Sequence, residues 1–476
     1  MNMNKIGKNS AFARIQSLLD AGSFVELGAM VSARSTDFHL YEQDTPADGV
    51  ITGYGQIEGR LVYVYSQDAA VLGGAIGEMH AKKIAQIYDK ALQMGAPVIG
   101  IIDCAGVRLL EGEDALYGLG TIYQKQAIAS GVIPQFSMIF GSCGGGVSLI
   151  PALSDFTLVE SKQSNYFLQS PDAIPNNTTA KCDTSAPEWK GTKAGNIDFI
   201  GTADELYTEV RRLIDILPAN NRFRIMPDIC NDDLNRTCAD LADSATDTAT
   251  VLSILGDQYA FVETKKMYAK EMVTGFIRLN GMTVGCVANR SYISDDEASV
   301  PAVLTSAGVA KASAFIKYCD SFHIPLLTLS NVAGFESTFE AEVSFGASCA
   351  SMISAYACAT VPKVTVVLEQ AMGSAGIAMG SKSVGADLVY SWPSAKIGPM
   401  EAASAAKILY ADKPAAEARE KTKEYDERYN SAASSAARGY VDALIKPEDT
   451  RKYLISAFEM LASKQESMPF KRHTSI

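Results

Sequence analysis

Two clusters of small residues at the ends of apolar runs are the features of this sequence best suited to chemistry. The first, Gly144-Gly145-Gly146, follows the apolar run 133–140 and precedes a short helical pattern. Glycine leaves backbone N–H groups unshielded, and the first N–H groups of a helix carry partial positive charge. Such a turn binds an anion or stabilises an oxyanion. Glycine before a helix also serves tight packing, so this cluster alone leaves both interpretations open.

The second cluster, Gly373-Ser374-Ala375-Gly376, follows a similar strand-like run at 362–370. Candidate acids, bases and metal ligands are scarce around both clusters. Cys143 is interpreted as a packing residue, no Cys-x-x-Cys occurs, and no metal site is predicted. All four histidines are interpreted as structural: His39, His80, His323 and His473. The two donor clusters therefore favour a reaction that stabilises two anions over one that relays protons.

The composition describes an ordinary globular chain. Its 476 residues are enough for two or three domains, and its hydrophobic content is 47%. The formal net charge of −12 argues against nucleic acid and anionic membranes as partners. No signal peptide and no apolar run of about 18 residues is found, so we expect neither export nor membrane insertion. Nine cysteines without framework spacing indicate free thiols and a cytoplasmic location.

Alternating strand and helix patterns position the two clusters. Residues 51–67 predict a hairpin with its turn at Glu58-Gly59, and Gly95 is a predicted helix C-cap. We also predict a helix at 12–19, a long loop or lid at 167–195, a small-residue helix at about 343–359 and a charged surface helix at 414–429.

The second half of the sequence repeats the first. In each half, two predicted strands open with prolines 37 residues apart: Pro97, Pro134, Pro325 and Pro362. A glycine follows nine residues after the first proline of each pair, at Gly106 and at Gly334. Strands separated by helical stretches imply right-handed βαβ crossovers. The prediction is an α/β chain of two homologous domains, 1–235 and 236–476, with the boundary inside the irregular segment 217–250.

An ordered set of segments resembles one family, the biotin-dependent acyl-CoA carboxyltransferases. This family includes the β subunits of propionyl-CoA and acetyl-CoA carboxylases and the α subunits of methylmalonyl-CoA decarboxylases. The matching segments span nearly the whole chain and include FVELG (24–28), DGVITGYGQIEGR (48–60), GGAIGEMHAKKI (73–84), GAPVIGIID (95–103), PALSDFT (151–157), CDSFHIPLLT (319–328), ATVPKVTVV (359–367), SKSVGADLVYSWPSAKI (381–397), ARGYVDALIKP (437–447) and KRH (471–473).

The resemblance implies two duplicated crotonase-like (ClpP/crotonase) domains, acyl-CoA on the N-terminal domain and biotin on the C-terminal domain of a partner subunit. It implies that Gly145 and Gly146 hold the thioester oxyanion and that Ser374 and Ala375 hold the biotin ureido oxygen. Gly373, Gly376 and Ile377 are then biotin-binding, and the acyl-CoA contacts are Gly74, Ala105, Gly106, Val107, Arg108 and Gly144. In this mechanism carboxybiotin releases CO2, the ureido anion takes the α proton, and the enolate captures CO2.

The partners implied by the resemblance are a separate biotin carboxyl carrier protein and a biotin carboxylase or a membrane decarboxylase subunit. Biotin must arrive on that carrier, because the Ala-Met-Lys-Met biotinylation sequence is absent. The family also implies a dimer-based homo-oligomer, usually a trimer of dimers.

Several loops depart from the family pattern. Cys104-Ala105-Gly106-Val107-Arg108 replaces Ser-Gly-Gly-Ala-Arg, and Gly373-Ser374-Ala375-Gly376 replaces Gly-Gly-Ala-Tyr. Two alternatives therefore stay open, a crotonase-type enoyl-CoA hydratase or isomerase without biotin and a non-catalytic scaffold paralogue within a carboxylase or decarboxylase complex. The acyl group and the direction of carboxyl transfer are also open.

Overall fold

The chain forms two compact units, Met1–Phe223 and Arg224–Ile476, which divide within the irregular segment 217–250. The structure is a computed structural model that describes residues 10–35, 37–175, 177, 181–222, 227–411 and 413–469. His473 and the rest of the basic tail lie outside these residues.

The first unit surrounds one mixed sheet. Its helices are α1 (Ala11–Leu18), α2 (Glu78–Met94), α3 (Gly112–Ala129), α4 (Leu149–Ala152), α5 (Pro187–Trp189) and α6 (Ala203–Ile216). Its strands are β1 (Val25–Leu27), β2 (Val50–Ile57), β3 (Arg60–Gln67), β4 (Val98–Cys104), β5 (Gln135–Gly144), β6 (Phe156–Glu160), β7 (Asn165–Phe167) and β8 (Phe199–Gly201). The strand order is β1-β2-β3-β4-β5-β6-β8, and β7 pairs with the end of β5.

Local sequence explains the framework of this sheet. Ile57 pairs with Arg60 across the two-residue turn Glu58-Gly59, whose φ angles of 50° and 76° match a type I′ hairpin. Gly95 ends α2 in the left-handed conformation, with φ 65°. The hairpin and the C-cap are confirmed. Strands β3, β4, β5 and β6 then pair in parallel, as the crossover pattern predicts.

The second unit is built in the same way. Its helices are α7 (Thr248–Leu255), α8 (Ser306–Ser321), α9 (Phe339–Cys358), α10 (Gly373–Ala378), α11 (Ala402–Leu409), α12 (Ala415–Tyr429), α13 (Ala432–Ala437) and α14 (Thr450–Leu461). Its strands are β9 (Val262–Thr264), β10 (Met272–Leu279), β11 (Met282–Asn289), β12 (Tyr292–Ile293), β13 (Ala298–Ser299), β14 (Val303–Leu304), β15 (Leu326–Val332), β16 (Gly334–Phe335), β17 (Lys363–Met372), β18 (Leu388–Ser391), β19 (Lys396–Gly398) and β20 (Ala443–Leu444). The main sheet has the order β20-β18-β17-β15-β11-β10-β9, and β19 pairs with the end of β17.

The two sheets share one register. Val98 pairs with Gln135 in the first unit, and Leu326 pairs with Lys363 in the second. The register then shifts at equivalent places, between Ile102 and Cys104 and between Ser330 and Val332. Equivalent residues along these strands are thus 228 positions apart. The predicted duplicated α/β fold is confirmed.

Three elements differ from their predicted bounds or character. Strand β5 extends to Gly144 because β7 pairs with its last residues, which the run 133–140 does not reveal. Helix α9 begins at Phe339 rather than near 343, because the Thr338 hydroxyl caps it by accepting the Ala341 N–H at 3.1 Å. In its described part, the predicted lid contains α5 and a π-helical turn, Lys190–Ala194, as well as loops.

The length and composition of a helix decide whether it could cross a membrane. Within the described part of the chain, no helix combines the length and the apolar character needed to cross a bilayer.

Candidate active site

A glycine turn follows strand β5 in the first unit. Gly145 has φ +59° and begins a 3₁₀ turn that runs to Ser148. A Cβ added at Gly145 would meet open space. The turn's carbonyls are tied down, since the Ser148 hydroxyl donates to Gly145 O at 2.7 Å and the Tyr123 hydroxyl donates to Gly146 O at 2.5 Å. The first amides of a helical turn have no acceptor within it. The Gly145 and Gly146 amides thus lie at the start of the turn, as a candidate backbone donor site.

Neighbouring side chains hold this turn closely. A Cβ on Gly144 would lie 2.5 Å from the Phe167 ring, and one on Gly146 would lie 3.1 Å from Leu119 and 3.2 Å from the Tyr123 hydroxyl. Tyr166, which is buried, donates its hydroxyl to Ser148 O at 3.1 Å. The glycines are therefore required by packing as well as by backbone conformation.

The loop after β4 lies at the same edge of the sheet, because Cys104 pairs with Cys143 near the strand ends. It crosses the segment around Gly74: Ala105 donates its N–H to Gly73 O at 2.9 Å. Gly74 has φ +64°, and a Cβ there would lie 2.2 Å from Asp103 O. The structure thus brings the predicted acyl-CoA residues Gly74 and 105–108 together, and places them at the strand end next to 144–146.

Arg108 differs from the rest of this set in the direction of its side chain. Its guanidinium is 3% exposed and pairs with Asp48 at 2.7 Å and with Glu111 at 2.6 Å. The side chain thus faces the interior of the unit, whereas Ala105 is exposed and Gly106 and Val107 are half-buried.

The ionisable groups behind the turn are not poised for proton transfer at neutral pH. Burial raises the pKa of the Cys143 thiol and raises that of Cys104 to about 11. Burial and the nearby Arg108 charge lower the pKa of His80 to about 3. These groups stay neutral, as the interpretation of Cys143 and His80 as structural residues requires. Across the described residues, no group of three His, Cys, Asp or Glu side chains is arranged to hold a metal ion.

The second unit carries the equivalent turn after β17. Gly373 has φ +58° and begins α10, one residue past Met372, just as Gly145 follows Gly144. Strand register therefore aligns Gly145–Gly146 with Gly373–Ser374. The sequence interpretation placed the donor pair one residue later, at Ser374–Ala375. The amides of Gly373, Ser374 and Ala375 all lie in the first turn of α10, and the Ala375 side chain is buried.

A cavity of about 710 Å³ lies beside this turn, a volume suited to a cofactor-sized ligand. Four predicted residues line it, namely Gly373, Ser374, Gly376 and Ile377. The Ile377 side chain is 45% exposed. Ser330, which lines this cavity, occupies the strand position that the buried Ile102 has in the first unit.

The sequence interpretation missed two cations in the wall of this cavity. Lys382, which pairs with Asp442, and Arg438, whose guanidinium lies 5.5 Å from the Tyr429 ring centre, both line it. They belong to segments 381–397 and 437–447, which carried the family resemblance, but no spacing rule marks them as parts of a site.

Comparison with known proteins finds relatives that match nearly the whole chain. A carboxyl transferase domain model matches residues 2–476. The propionyl-CoA carboxylase beta chain of Roseobacter denitrificans is 40% identical over 99% of this chain and 94% of its own. The methylmalonyl-CoA decarboxylase subunit alpha of Propionigenium modestum is 38% identical over 99% of this chain and 93% of its own.

A solved structure shows the same fold. Transcarboxylase 12S, a hexamer assembly solved with methylmalonyl-coenzyme A and methylmalonic acid bound, superimposes with a TM-score of 0.91 and 36% identity, covering 98% of this chain and 92% of that one. From the match over its whole length and from these relatives, we conclude that the chain belongs to the carboxyl transferase domain family.

Proposed function

We propose that this protein is a carboxyltransferase subunit that moves a carboxyl group between biotin on a carrier protein and a short-chain acyl-CoA of the propionyl or methylmalonyl type. The observation that carries the proposal is the pair of backbone donor turns, at Gly145 and at Gly373, in equivalent positions of two duplicated units. A reaction that forms one anion on each of two substrates needs one such turn for each.

The first unit is the proposed acyl-CoA side. Removing the α proton of a thioester places negative charge on its carbonyl oxygen, and the Gly145 and Gly146 amides would stabilise that charge. Fixed donors act without reorganising during the reaction, and one donor contributes about 10²–10³ in rate. The loop 105–107 and Gly74 would hold the coenzyme A thioester beside the turn.

The second unit is the proposed biotin side. Loss of CO2 from carboxybiotin leaves negative charge on the ureido oxygen, which the amides of Gly373, Ser374 and Ala375 would bind. The cavity beside them is large enough for the bicyclic ring. Gly376 and Ile377 would form its apolar wall, and Ile377 leaves room for a short alkyl group on the acyl-CoA.

The proposal extends to the assembly. The substrate biotin would come on a separate carrier protein, and a biotin carboxylase or a membrane decarboxylase subunit would complete the complex. We propose a cytoplasmic hexamer built as a trimer of dimers, supported by the hexamer assembly of transcarboxylase 12S.

The test is carboxyl exchange by the purified oligomer. We expect transfer of label from carboxyl-labelled methylmalonyl-CoA to free biotin and no hydration of enoyl-CoA thioesters. No exchange with any C2 to C5 thioester would reject the proposal. In that case, biotin-independent turnover of an enoyl-CoA would identify a hydratase or isomerase, and acyl-CoA binding without turnover would identify a scaffold.

A further inference from the structure

A buried ionic cluster lies directly behind the proposed acyl-CoA loop. It consists of Asp48, His80, Arg108 and Glu111, each less than a tenth exposed. A buried guanidinium beside two carboxylates is stable only when the ions are paired in good geometry. Here Arg108 reaches both Asp48 and Glu111 through Nη1, and its Nη2 donates to Ala75 O at 3.0 Å, whereas its buried Nε has no hydrogen-bond partner among the described residues.

The cluster ties three separate segments together. Asp48 accepts the His80 N–H at 2.7 Å, and Glu111 accepts the Glu78 N–H at 2.6 Å. Both amides lie in the first turn of α2, where they have no acceptor within the helix. A Cβ on Gly77 would lie 2.5 Å from the Arg108 guanidinium. The start of α2 is therefore built around the cluster.

These segments carry the exposed loop on their outer side. Ile76 donates its N–H to Gly106 O at 2.9 Å, and Arg108 donates its N–H to Ile76 O at 2.8 Å. Together with the bond from Ala105 to Gly73, they form a short ladder between 73–76 and 105–108. The Arg108 side chain fastens the inner end of this ladder.

The second unit forms a similar ladder without the cluster. Ala333 donates its N–H to Ala302 O at 2.7 Å, and Glu336 donates its N–H to Leu304 O at 2.9 Å. Strand register makes Glu336 the counterpart of Arg108. A similar backbone arrangement thus forms without a buried arginine, so the ladder does not by itself require the ionic cluster of the first unit.

We propose that Arg108 is a positioning residue. Held by Asp48 and Glu111, it fixes the loop 105–107 in the shape that receives the coenzyme A thioester, and it does not itself contact the substrate. This inference rests on the proposed function, which assigns acyl-CoA to the first unit. Precise placement matters because an error of about 1 Å at a binding loop can cost roughly a hundredfold in rate.

The test compares two buried Arg–Asp pairs in the intact oligomer. Asp48→Asn removes the charge that faces Arg108 while keeping the side-chain shape. Asp247→Asn is the control, because Asp247 pairs with Arg290 at 3.1 Å in the second unit and both of these side chains are also buried. We measure the Kd of propionyl-CoA by calorimetry, the thermal midpoint, and the amide hydrogen exchange of 73–77 and 105–111.

We expect Asp48→Asn to raise the Kd of propionyl-CoA roughly tenfold and to speed exchange in both segments. Asp247→Asn should lower the thermal midpoint comparably and leave the Kd and this exchange unchanged. Equal effects of the two variants, or a folded Asp48→Asn protein with unchanged Kd and exchange, would overturn the proposal. Glu111→Gln provides the same comparison if Asp48→Asn does not fold.

Failure of the proposed function would give different results from failure of the positioning role. A wild-type oligomer that binds no acyl-CoA rejects the assignment of the first unit, whereas hydrogen exchange still reports on the loop. Faster exchange confined to 73–77 and 105–111 in Asp48→Asn would support the positioning role even then, and unchanged exchange would refute it.

Discussion

Gly145 and Gly373 occupy the same position in their two sheets, directly after a strand end, with φ angles of +59° and +58°. Such angles are unfavourable for any residue with a Cβ. The duplication has therefore preserved a left-handed backbone position that favours glycine in each unit, together with the helical turn that follows it.

Gly145→Ala should lower the rate of carboxyl transfer by roughly 10²–10³ while the protein still folds. A Cβ would meet open space at this position, so the strain of about 1–2 kcal/mol comes from the backbone angle and is relieved by rotating the donor amides. Initial rates of label transfer from methylmalonyl-CoA to biotin measure the effect.

The matched control is Gly59→Ala, at a hairpin turn with φ +76° and equally open space. This variant carries similar strain away from the donor turn, so we expect comparable destabilisation and an unchanged rate. Equal losses of rate in the two variants would show that strain, and not donor geometry, explains the effect at Gly145.

Ile377 should influence which acyl group is accepted. Replacing this cavity-lining side chain with a charged one, Ile377→Asp, should reduce kcat/KM for propionyl-CoA about fourfold relative to acetyl-CoA, since one buried CH2 group contributes about 0.8 kcal/mol. Ile377→Val keeps the wall apolar and should preserve the preference. If kcat/KM in Ile377→Asp changes equally for both thioesters, Ile377 does not contribute to the choice of acyl group.

His80 should make the first unit sensitive to acid. Its Nδ1 lies 2.9 Å from Asp48 O and its Nε2 lies 3.1 Å from Gln67 Nε2, an arrangement that suits a neutral ring with its proton on Nδ1. The folded pKa of His80 is about 3, below the usual value near 6.5, so the unfolded chain binds an extra proton between these pH values. The contribution of His80 to the free energy of unfolding is fully present above pH 6.5 and decreases as the pH falls towards 3.

Denaturant unfolding at pH 7, 6 and 5 tests this expectation. Below pH 6.5, wild-type unfolding free energy should fall more steeply than that of His80→Gln, by up to about 1.4 kcal/mol per pH unit. Parallel curves for the two proteins would contradict a buried neutral His80.

Much of the fold was predictable because local signals and distant ones agree. The turn at Glu58-Gly59, the cap at Gly95 and the proline spacing each specify one element, and the duplication of that spacing specifies two units. The start of α9 at Phe339 depends on one hydroxyl cap, and the end of β5 depends on pairing with β7. Tertiary contacts of this kind leave no periodic trace in a single sequence.

The candidate site was predictable at its backbone and less so at its side chains. Small residues at 144–146 and 373–376 mark the proposed donor turns, whereas the start of the second turn at Gly373 depends on strand register. Arg108 stands in a loop that resembles a substrate loop, and only its partners Asp48 and Glu111, one of them 60 positions away, show that it faces inward.

The central claim is that the turns at Gly145 and Gly373 each stabilise one anion. Its most direct test is the release of CO2 from free carboxybiotin by the oligomer without acyl-CoA. This half-reaction forms only the ureido anion, so it should depend on the turn at Gly373 and not on the turn at Gly145. We predict that Gly145→Ala releases CO2 at the wild-type rate and that Gly373→Ala does not. Both variants should be defective in the complete carboxyl-transfer reaction. Loss of CO2 release in Gly145→Ala, or its persistence in a folded Gly373→Ala protein, would contradict the account.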